Sequence, residues 1–539
     1  MYVCAFLLVV CVGVSSGELF TSMAHMETLL DMEETVPHVI DRYLAMEEKR
    51  LVELREFAEN YQKRNKEALK DAAKAIANPV NAFLLIKRVR SDWDYAEMLM
   101  RHNLADYFLS NITDQRTSQS IRFPTDEDLD GAAIALMRLQ DTYRLDTREL
   151  ASGKIRSKKS AEPLTASDCF TLGRAAYRQA DYYHTAMWMQ EAMDSLQKES
   201  TPSVEEAEIL EHLSFALYQQ GNVKRALGLA KKLAFIVPDH PRVKANIKWY
   251  EDELDQMGQK KGTAELPPLS LMRPNDGSLP ERDLYEALCR GEVPVSPKTL
   301  AKLYCYYKRD RPFLRYAPIK VEIVNLNPLA VLFRQVLSDY EVGVIKTLAK
   351  PKLNRATVHN KATGELETAT YRISKTAWLK EWEHPVVRTV RKRADLMTNL
   401  NMAENSAEEL QISNYGIGGH YDPHFDHASN DDKTAFTSLG SGNRIATILF
   451  YMSQPEAGGA TVFVESSVKA TVFPSYRDAL FWYNLHRDGD GDVRTRHAAC
   501  PVLLGEKWVS NIWVHERGQE LRRPCGVRRA AHETFVGEL

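Results

Sequence analysis

From residue 23 to residue 63 the chain is almost free of Gly and Pro, and Leu29, Leu30, Val36, Ile40, Leu44, Leu51, Leu54 and Phe57 recur among Glu, Lys and Arg. That spacing predicts one long amphipathic helix. The seam is only loosely heptad, so its partner is either a helix of the same chain or a second subunit in a short coiled coil. Helical pattern continues over 82–100 and 128–145, and the basic, Ser-containing stretch 151–163 reads as a linker. The segment 172–182 (LGRAAYRQADY) is then echoed 41 positions later at 213–223 (LSFALYQQGNV), and Pro238 closes the second copy. Both copies carry the small-residue helix turn of tetratricopeptide pairs, which stack around a concave groove. Glu211, Phe215 and Tyr218 fall at i, i+4 and i+7 on one helical face, and Arg242 and Trp249 repeat that spacing. Aromatic rings along one face suit a proline-rich chain in polyproline II form, although any single ring can equally be packing between helices. After a second linker near 258–280, short strand-like runs punctuated by Gly and Asp take over at 409–415, 444–452, 460–464, 479–483, 497–504 and 508–514. These predict a double-sheet, jelly-roll β-domain.

The expected fold class is therefore multidomain α+β. Its parts are a helical domain at 18–150, a linker at 151–163, a tetratricopeptide-like domain at 164–255, a linker with a disulfide at 256–325 and a jelly roll at 326–539. Residues 1–17 read as a cleaved secretory signal, because an apolar run from 3 to 14 is followed by Ser15, Ser16 and Gly17. About a dozen apolar residues are too few for a membrane span, which needs roughly 20. With 70 basic and 73 acidic side chains the chain has no global field to draw it to nucleic acid or an anionic membrane. Of seven cysteines, Cys4 and Cys11 leave with the signal. Cys169, Cys289, Cys305, Cys500 and Cys525 remain, so one thiol stays free in an oxidising lumen. The simplest expectation pairs Cys289 with Cys305 and Cys500 with Cys525, leaving Cys169 buried and free. Asn111-Ile112-Thr113 is a glycosylation sequon.

The chemistry-bearing segment is 414–427 (NYGIGGHYDPHFDH), with a further histidine at His497, 71 positions after Asp426. Two histidines and one carboxylate on one face of Fe(II) leave three positions open, enough for a bidentate 2-oxo acid and O2. A structural zinc site would close that face instead. Residues i and i+2 of a strand point the same way, so His424-x-Asp426 can supply two ligands. His420-x-Asp422 can do the same, and spacing does not choose between the pairs. Lys507, ten residues after His497, can supply a buried cation to a co-substrate carboxylate. In the strand that follows, Lys507, Val509, Asn511 and Trp513 alternate onto one face. The run Asp488-Gly489-Asp490-Gly491-Asp492 imitates a calcium loop, but Val493 and Ala499 stand where Gly and Glu are required, so it reads as a hairpin turn.

On 414–427, 442–447 (GNRIAT), 458–463 (GGATVF), 481–485 (FWYNL) and 496–501 (RHAACP), the chain resembles the α subunits of collagen prolyl 4-hydroxylases over nearly its whole length. The resemblance selects His424, Asp426 and His497 as iron ligands and assigns Lys507 to 2-oxoglutarate, with Tyr415, Thr461 and Trp513 lining that pocket. It places Tyr421 and Arg444 near the peptide and makes the tetratricopeptide segment, with Glu211, Phe215, Tyr218, Arg242 and Trp249, a peptide-substrate-binding domain. It implies Fe(II), 2-oxoglutarate, O2 and ascorbate as cofactors and co-substrates, procollagen or another proline-rich chain as substrate, and a dimerisation role for the N-terminal helices. It also implies protein disulfide isomerase as β subunit in an α2β2 assembly within the endoplasmic reticulum lumen. His212, Phe215 and Trp249 stand where some members carry tyrosine. The chain ends in Val536-Gly537-Glu538-Leu539 rather than a retrieval tetrapeptide, so retention would come from the partner.

Overall fold

The computed structural model describes residues 19–102, 105–109, 124–159, 161–258, 266–274, 279–359, 366–428, 436 and 440–527. The expected signal and Asn111 lie outside them. Backbone contacts divide the chain into two compact units, His25–Pro124 and the remainder.

In the first unit the long helix runs over Met23–Leu69 and has no fully buried residue. The helices Pro79–Lys87 and Trp93–Arg101 follow, the former capped by Asn78, whose side chain accepts the Val80 and Asn81 N–H groups. Arg50 donates to the Leu99 carbonyl at 2.8 Å and Phe57 lies 6.4 Å from Tyr95, so part of the seam pairs within the chain. Leu30 and Ile40 remain half or more exposed, and Leu44 nearly so. Among the described residues no helix is long and apolar enough to cross a membrane.

The second unit begins with the helix Asp126–Tyr143, opened by a Thr125–Asp128 capping box. The antiparallel helix pairs Ala166–Arg178 with Tyr182–Leu196, and Glu206–Gln219 with Val223–Ile236, follow, and Val243–Gln256 closes the array. Small residues at the crossings (Ala175, Ala176, Ala216, Ala226) let Trp188, Met189, Leu210 and Leu213 fill the core, and Cys169 is buried there as a free thiol. Ala133 and Met137 of the Asp126–Tyr143 helix enter this core, while Leu139 and Tyr143 enter another with Val462, Ala498 and Cys500. That helix therefore spans from the repeats to the β-domain.

A buried charge cluster reinforces the junction. His184 is bonded to Asp181 at 2.6 Å and forms an ion pair with Asp141 at 3.1 Å that lies off the hydrogen-bond line. Arg273 continues the cluster to Asp141 at 2.8 Å and Glu286 at 2.7 Å. Burial alone would lower the His184 pKa, but the two carboxylates hold it up at about 9, against 6.5 for a free imidazole. The folded chain thus keeps a proton that the unfolded chain releases, so this contribution is complete below pH 6.5 and is lost as pH rises through 9. It amounts to roughly 3 kcal/mol. Melting temperature measured from pH 6.5 to 9 is expected to fall in the wild type, and His184→Gln is expected to be less stable at pH 6.5 and to show a flatter profile.

The β-domain is a double sheet. Its nine-stranded layer has the spatial order Cys305–Lys308, Ile319–Leu326, Leu329–Arg334, Ala479–Tyr483, Arg444–Tyr451, Lys507–His515, Leu410–Tyr415, Lys375–Leu379 and Asn354–Arg355. The facing layer orders Tyr421–His424, His497–Ala499, Thr461–Phe463 and Ala470–Val472. Leu449, Tyr451, Trp482 and Phe463 fill the space between, and the outer face of the large sheet is covered by the helices Asp339–Ala349 and Pro385–Thr398. The sheet thus starts at Cys305, before the boundary expected at 326. In Ile319–Leu326 the alternation of Ile319, Val321 and Ile323 carries the strand signal, but Arg and Pro on either side disguise it. Residues 488–492 form a turn, with the His486 N–H donating to the Asp490 carbonyl at 2.8 Å.

The expected cysteine pairs are corrected. The disulfide joins Cys289 to Cys500 across 211 residues, and Cys305 and Cys525 are exposed and free. Cys289 ends the helix Arg282–Cys289, which packs outside the smaller sheet against Val462 and Ala498. Cys305 opens the far edge of the other sheet. Closeness in sequence is therefore no guide to closeness in space here.

Candidate metal and co-substrate site

His424 and His497 are cross-strand partners, with ring centroids 4.4 Å apart. Asp426 lies in the bend after the strand Tyr421–His424, with its carboxylate 3.6 Å from Nε2 of each histidine. Among the described residues these three form the one group able to hold a metal, their donor atoms all within 4.8 Å of one another. Nδ1 of His424 donates to the Asp422 carbonyl at 2.7 Å and Nδ1 of His497 to the Thr495 carbonyl at 2.9 Å. A carbonyl can only accept, so the proton sits on Nδ1 and the Nε2 lone pairs face Asp426. Burial pushes His497 down to about 4, which keeps it neutral. Burial would raise the Asp426 carboxyl, but His497, His424 and Arg444 together hold it well below the usual carboxylate range. Thr447 donates to Asp426 Oδ2 at 2.7 Å and accepts from Asn484 at 2.9 Å, which fixes the carboxylate.

The choice between the two His-x-Asp pairs is made by a β-bulge. Tyr421 pairs with Ala499 and His424 with His497, three positions against two, so the register shifts between them. Tyr421 and His424 therefore share the cavity face, stacked 3.5 Å apart, while His420 is buried away from it and pairs with Asp422 at 3.4 Å, neither of them lining the cavity. Arg138, from the helix Asp126–Tyr143, stands near both.

One cavity collects the remaining expected residues. Lys507, Tyr415, Thr461, Trp513 and Tyr421 line it with the three metal-site residues, and Val509 and Asn511 join Lys507 and Trp513 from alternate positions of one strand. Lys507 is 1% exposed and its ammonium has no hydrogen-bond partner among the described residues. It lies 4.8 Å from the centre of the Tyr415 ring, and burial pushes its pKa down to about 7. A buried, unpaired ammonium is costly unless an anion accompanies it, so this end of the cavity could take a carboxylate. Thr461 accepts from Tyr451 at 2.9 Å, which orients its hydroxyl. Arg444 lies 3.9 Å over the Trp513 ring and is paired with Glu408 at 2.5 Å, placing a fixed cation near the metal residues.

In the repeat domain, Tyr182, Tyr177, Phe215, Tyr218 and Trp249 form a continuous row with centroid spacings of 6.0, 5.8, 6.5 and 4.7 Å. Glu211 is taken up by an ion pair with Arg242. Sequence reasoning missed Tyr177 and Tyr182, although both lie inside the first repeat copy at the positions that meet Phe215. It also missed Thr447, which the 442–447 motif contained, and the row's packing member, fully buried Tyr250.

An open two-histidine, one-carboxylate face inside a jelly roll, with a lone buried lysine beyond it, has the donor set and shape of an Fe(II)- and 2-oxoglutarate-dependent oxygenase. Three family profiles match the chain: the prolyl 4-hydroxylase α-subunit N-terminal region over 22–157, the prolyl 4-hydroxylase peptide-substrate-binding domain over 166–256, and the 2OG-Fe(II) oxygenase superfamily over 410–515. The chain is 57% identical over 539 residues to prolyl 4-hydroxylase subunit alpha-1 of Caenorhabditis elegans, covering 99% of this chain and 95% of the relative. It is 45% identical over 521 residues to prolyl 4-hydroxylase subunit alpha-1 of Homo sapiens, covering 94% and 95%. A solved viral collagen prolyl hydroxylase of Paramecium Bursaria Chlorella virus-1 aligns with 34% of this chain and 94% of its own, at 24% identity and a TM-score of 0.26. The chain belongs to the prolyl 4-hydroxylase α-subunit family and is a 2-oxoglutarate-dependent dioxygenase.

Proposed function

We propose that His424, Asp426 and His497 hold Fe(II), that Lys507 takes the distal carboxylate of 2-oxoglutarate, and that the chain hydroxylates proline at C4 in X-Pro-Gly sequences of collagen-like chains. The observation that carries this reading is the Lys507 ammonium, unpaired among the described residues, facing the same cavity as three preorganised metal donors. Bound iron, with O2 and 2-oxoglutarate, supplies oxidative decarboxylation to succinate and CO2 coupled to hydroxylation of the peptide. The chain supplies the rest. Neutral His497 and ionised Asp426 present lone pairs without first losing protons, and His424 turns Nε2 toward them. Thr447 and the two backbone carbonyls keep those donors aimed. Lys507 and Tyr415 orient the co-substrate, Thr461 and Trp513 wall it, and Leu449, Val509 and Trp482 exclude water. Tyr421 and Arg444 flank the mouth, where they orient the proline.

The aromatic row from Tyr182 to Trp249 receives a neighbouring stretch of the proline-rich chain. Trp249 is 46% exposed and holds its place chiefly against Tyr218. Trp249→Ala is therefore expected to raise the KM for a long Pro-Pro-Gly repeat peptide several-fold, since an exposed aromatic contact contributes about 0.5–1.5 kcal/mol. The KM for 2-oxoglutarate should not move. The exposed seam of the Met23–Leu69 helix supports dimerisation, and the family supports an α2β2 assembly with protein disulfide isomerase in the endoplasmic reticulum lumen, with ascorbate as reductant. The deciding experiment co-expresses the chain with a disulfide isomerase and measures 4-hydroxyproline and iron-dependent succinate on a Pro-Pro-Gly repeat peptide. Succinate release that the peptide does not stimulate would remove the substrate assignment.

A further inference from the structure

Phe20, Thr21 and Ser22 precede the long helix in sequence, yet they are buried in the unit that holds the metal site. The Phe20 carbonyl accepts the Ile417 N–H at 3.0 Å, and a Cβ on Gly416 would lie 1.9 Å from that same oxygen. Only glycine permits the two backbones to approach so closely. The Ser22 hydroxyl donates to Asn414 Oδ1 at 2.6 Å, and the Ala24 N–H donates to the same atom at 3.2 Å. On its other side the segment presses the Phe20 ring onto Gly131 of the helix Asp126–Tyr143, where a Cβ would fall 2.2 Å from a ring carbon. The segment is thus wedged between that helix and the end of the strand Leu410–Tyr415.

What it grips flanks Tyr415 on both sides. Asn414 and Gly416 are each fixed by residues 20–24, and Tyr415 between them points the opposite way from Asn414, into the cavity, with Lys507 over its ring. We propose that residues 20–24 brace the co-substrate pocket from behind, and that Phe20 and Ser22 are positioning residues that hold Tyr415 against Lys507. This rests on the reading that Lys507 and Tyr415 receive 2-oxoglutarate.

The test uses the assembled enzyme carrying Ser22→Ala, Asn414→Ala, both together, or Phe20→Ala, with Lys507→Met as control. KM is measured for 2-oxoglutarate and for a Pro-Pro-Gly repeat peptide, and the Kd of 2-oxoglutarate is measured by anaerobic calorimetry on the iron-loaded protein. Ser22→Ala is expected to raise both the KM and the Kd for 2-oxoglutarate roughly two- to tenfold, the effect of one hydrogen bond, with the peptide KM unchanged. The double variant should be no worse than Asn414→Ala alone, because the two side chains act through one contact. Phe20→Ala removes a buried ring and can fail to fold, so Ser22→Ala decides the question. If Lys507→Met weakens 2-oxoglutarate and Ser22→Ala does not, the brace is overturned. A Ser22→Ala enzyme whose peptide and co-substrate constants decline together overturns it too. If Lys507→Met itself leaves the 2-oxoglutarate Kd unchanged, the pocket assignment fails and the brace falls with it.

Discussion

Lys507→Met is expected to raise the KM for 2-oxoglutarate about a hundred- to a thousandfold and to leave the folded protein as stable as before, or more so. The first effect follows from the loss of charge-assisted hydrogen bonds, about 1.5–3 kcal/mol each, since Arg372, which also lines the cavity, already donates to the Thr357 carbonyl and to Gln411. The second follows from removing an ammonium that is 1% exposed and without a hydrogen-bond partner among the described residues, and so costs stability in the ligand-free chain. The two measurements together separate a ligand-binding lysine from a structural one, whose replacement would lower the melting temperature. Lys507→Arg is not expected to restore affinity fully, because a planar guanidinium fork does not present its donors where a compact ammonium does. Burial places the free lysine's pKa at about 7, so a carboxylate that restores its charge must draw in a proton above that pH. Calorimetry of 2-oxoglutarate binding at pH 8 in buffers of different ionisation enthalpy is expected to show proton uptake.

Local periodicity made much of this architecture legible in the sequence. The 3.6-residue recurrence from Leu29 to Phe57 marks a helix that indeed runs over Met23–Leu69, and the echo of 172–182 at 213–223 marks two stacked helix pairs. Period-two alternation put Lys507 and Trp513 on one face of a strand, where the structure has them. Features set by pairing at a distance were not legible. The bulge that turns His420 away and His424 inward depends on how Tyr421–His424 meets His497–Ala499, more than 70 residues further on. The Cys289–Cys500 bond depends on a helix packing across the smaller sheet. The wedge formed by Phe20 and Ser22 reads, in sequence, as nothing more than the approach to a helix. Thr447 lay within a quoted motif, but only its hydrogen bond to Asp426 gives it a role.

The bulge also makes the sharpest prediction about the metal. In an unbroken strand Asp422 and Asp426 would be interchangeable candidates, and replacing either would have the same prospects. With the register shifted, Asp426 alone meets both histidines, at 3.6 Å each. Asp426→Ala is therefore expected to lower iron affinity by more than roughly a hundredfold, since loss of a supporting residue alone typically costs 10–100-fold, and to abolish coupled turnover. Thr447→Val, which keeps the shape and removes the hydroxyl, should fall in that lower range. Asp422→Ala should retain iron, because the His424 ring is oriented by the Asp422 backbone carbonyl, which the substitution keeps, and not by its carboxylate. Iron content after gel filtration and succinate release read the three variants side by side. Iron lost from the Asp422→Ala protein but kept by the Asp426→Ala protein would mean that the strand does not carry the bulge in solution, and the ligand assignment would pass to the upstream pair.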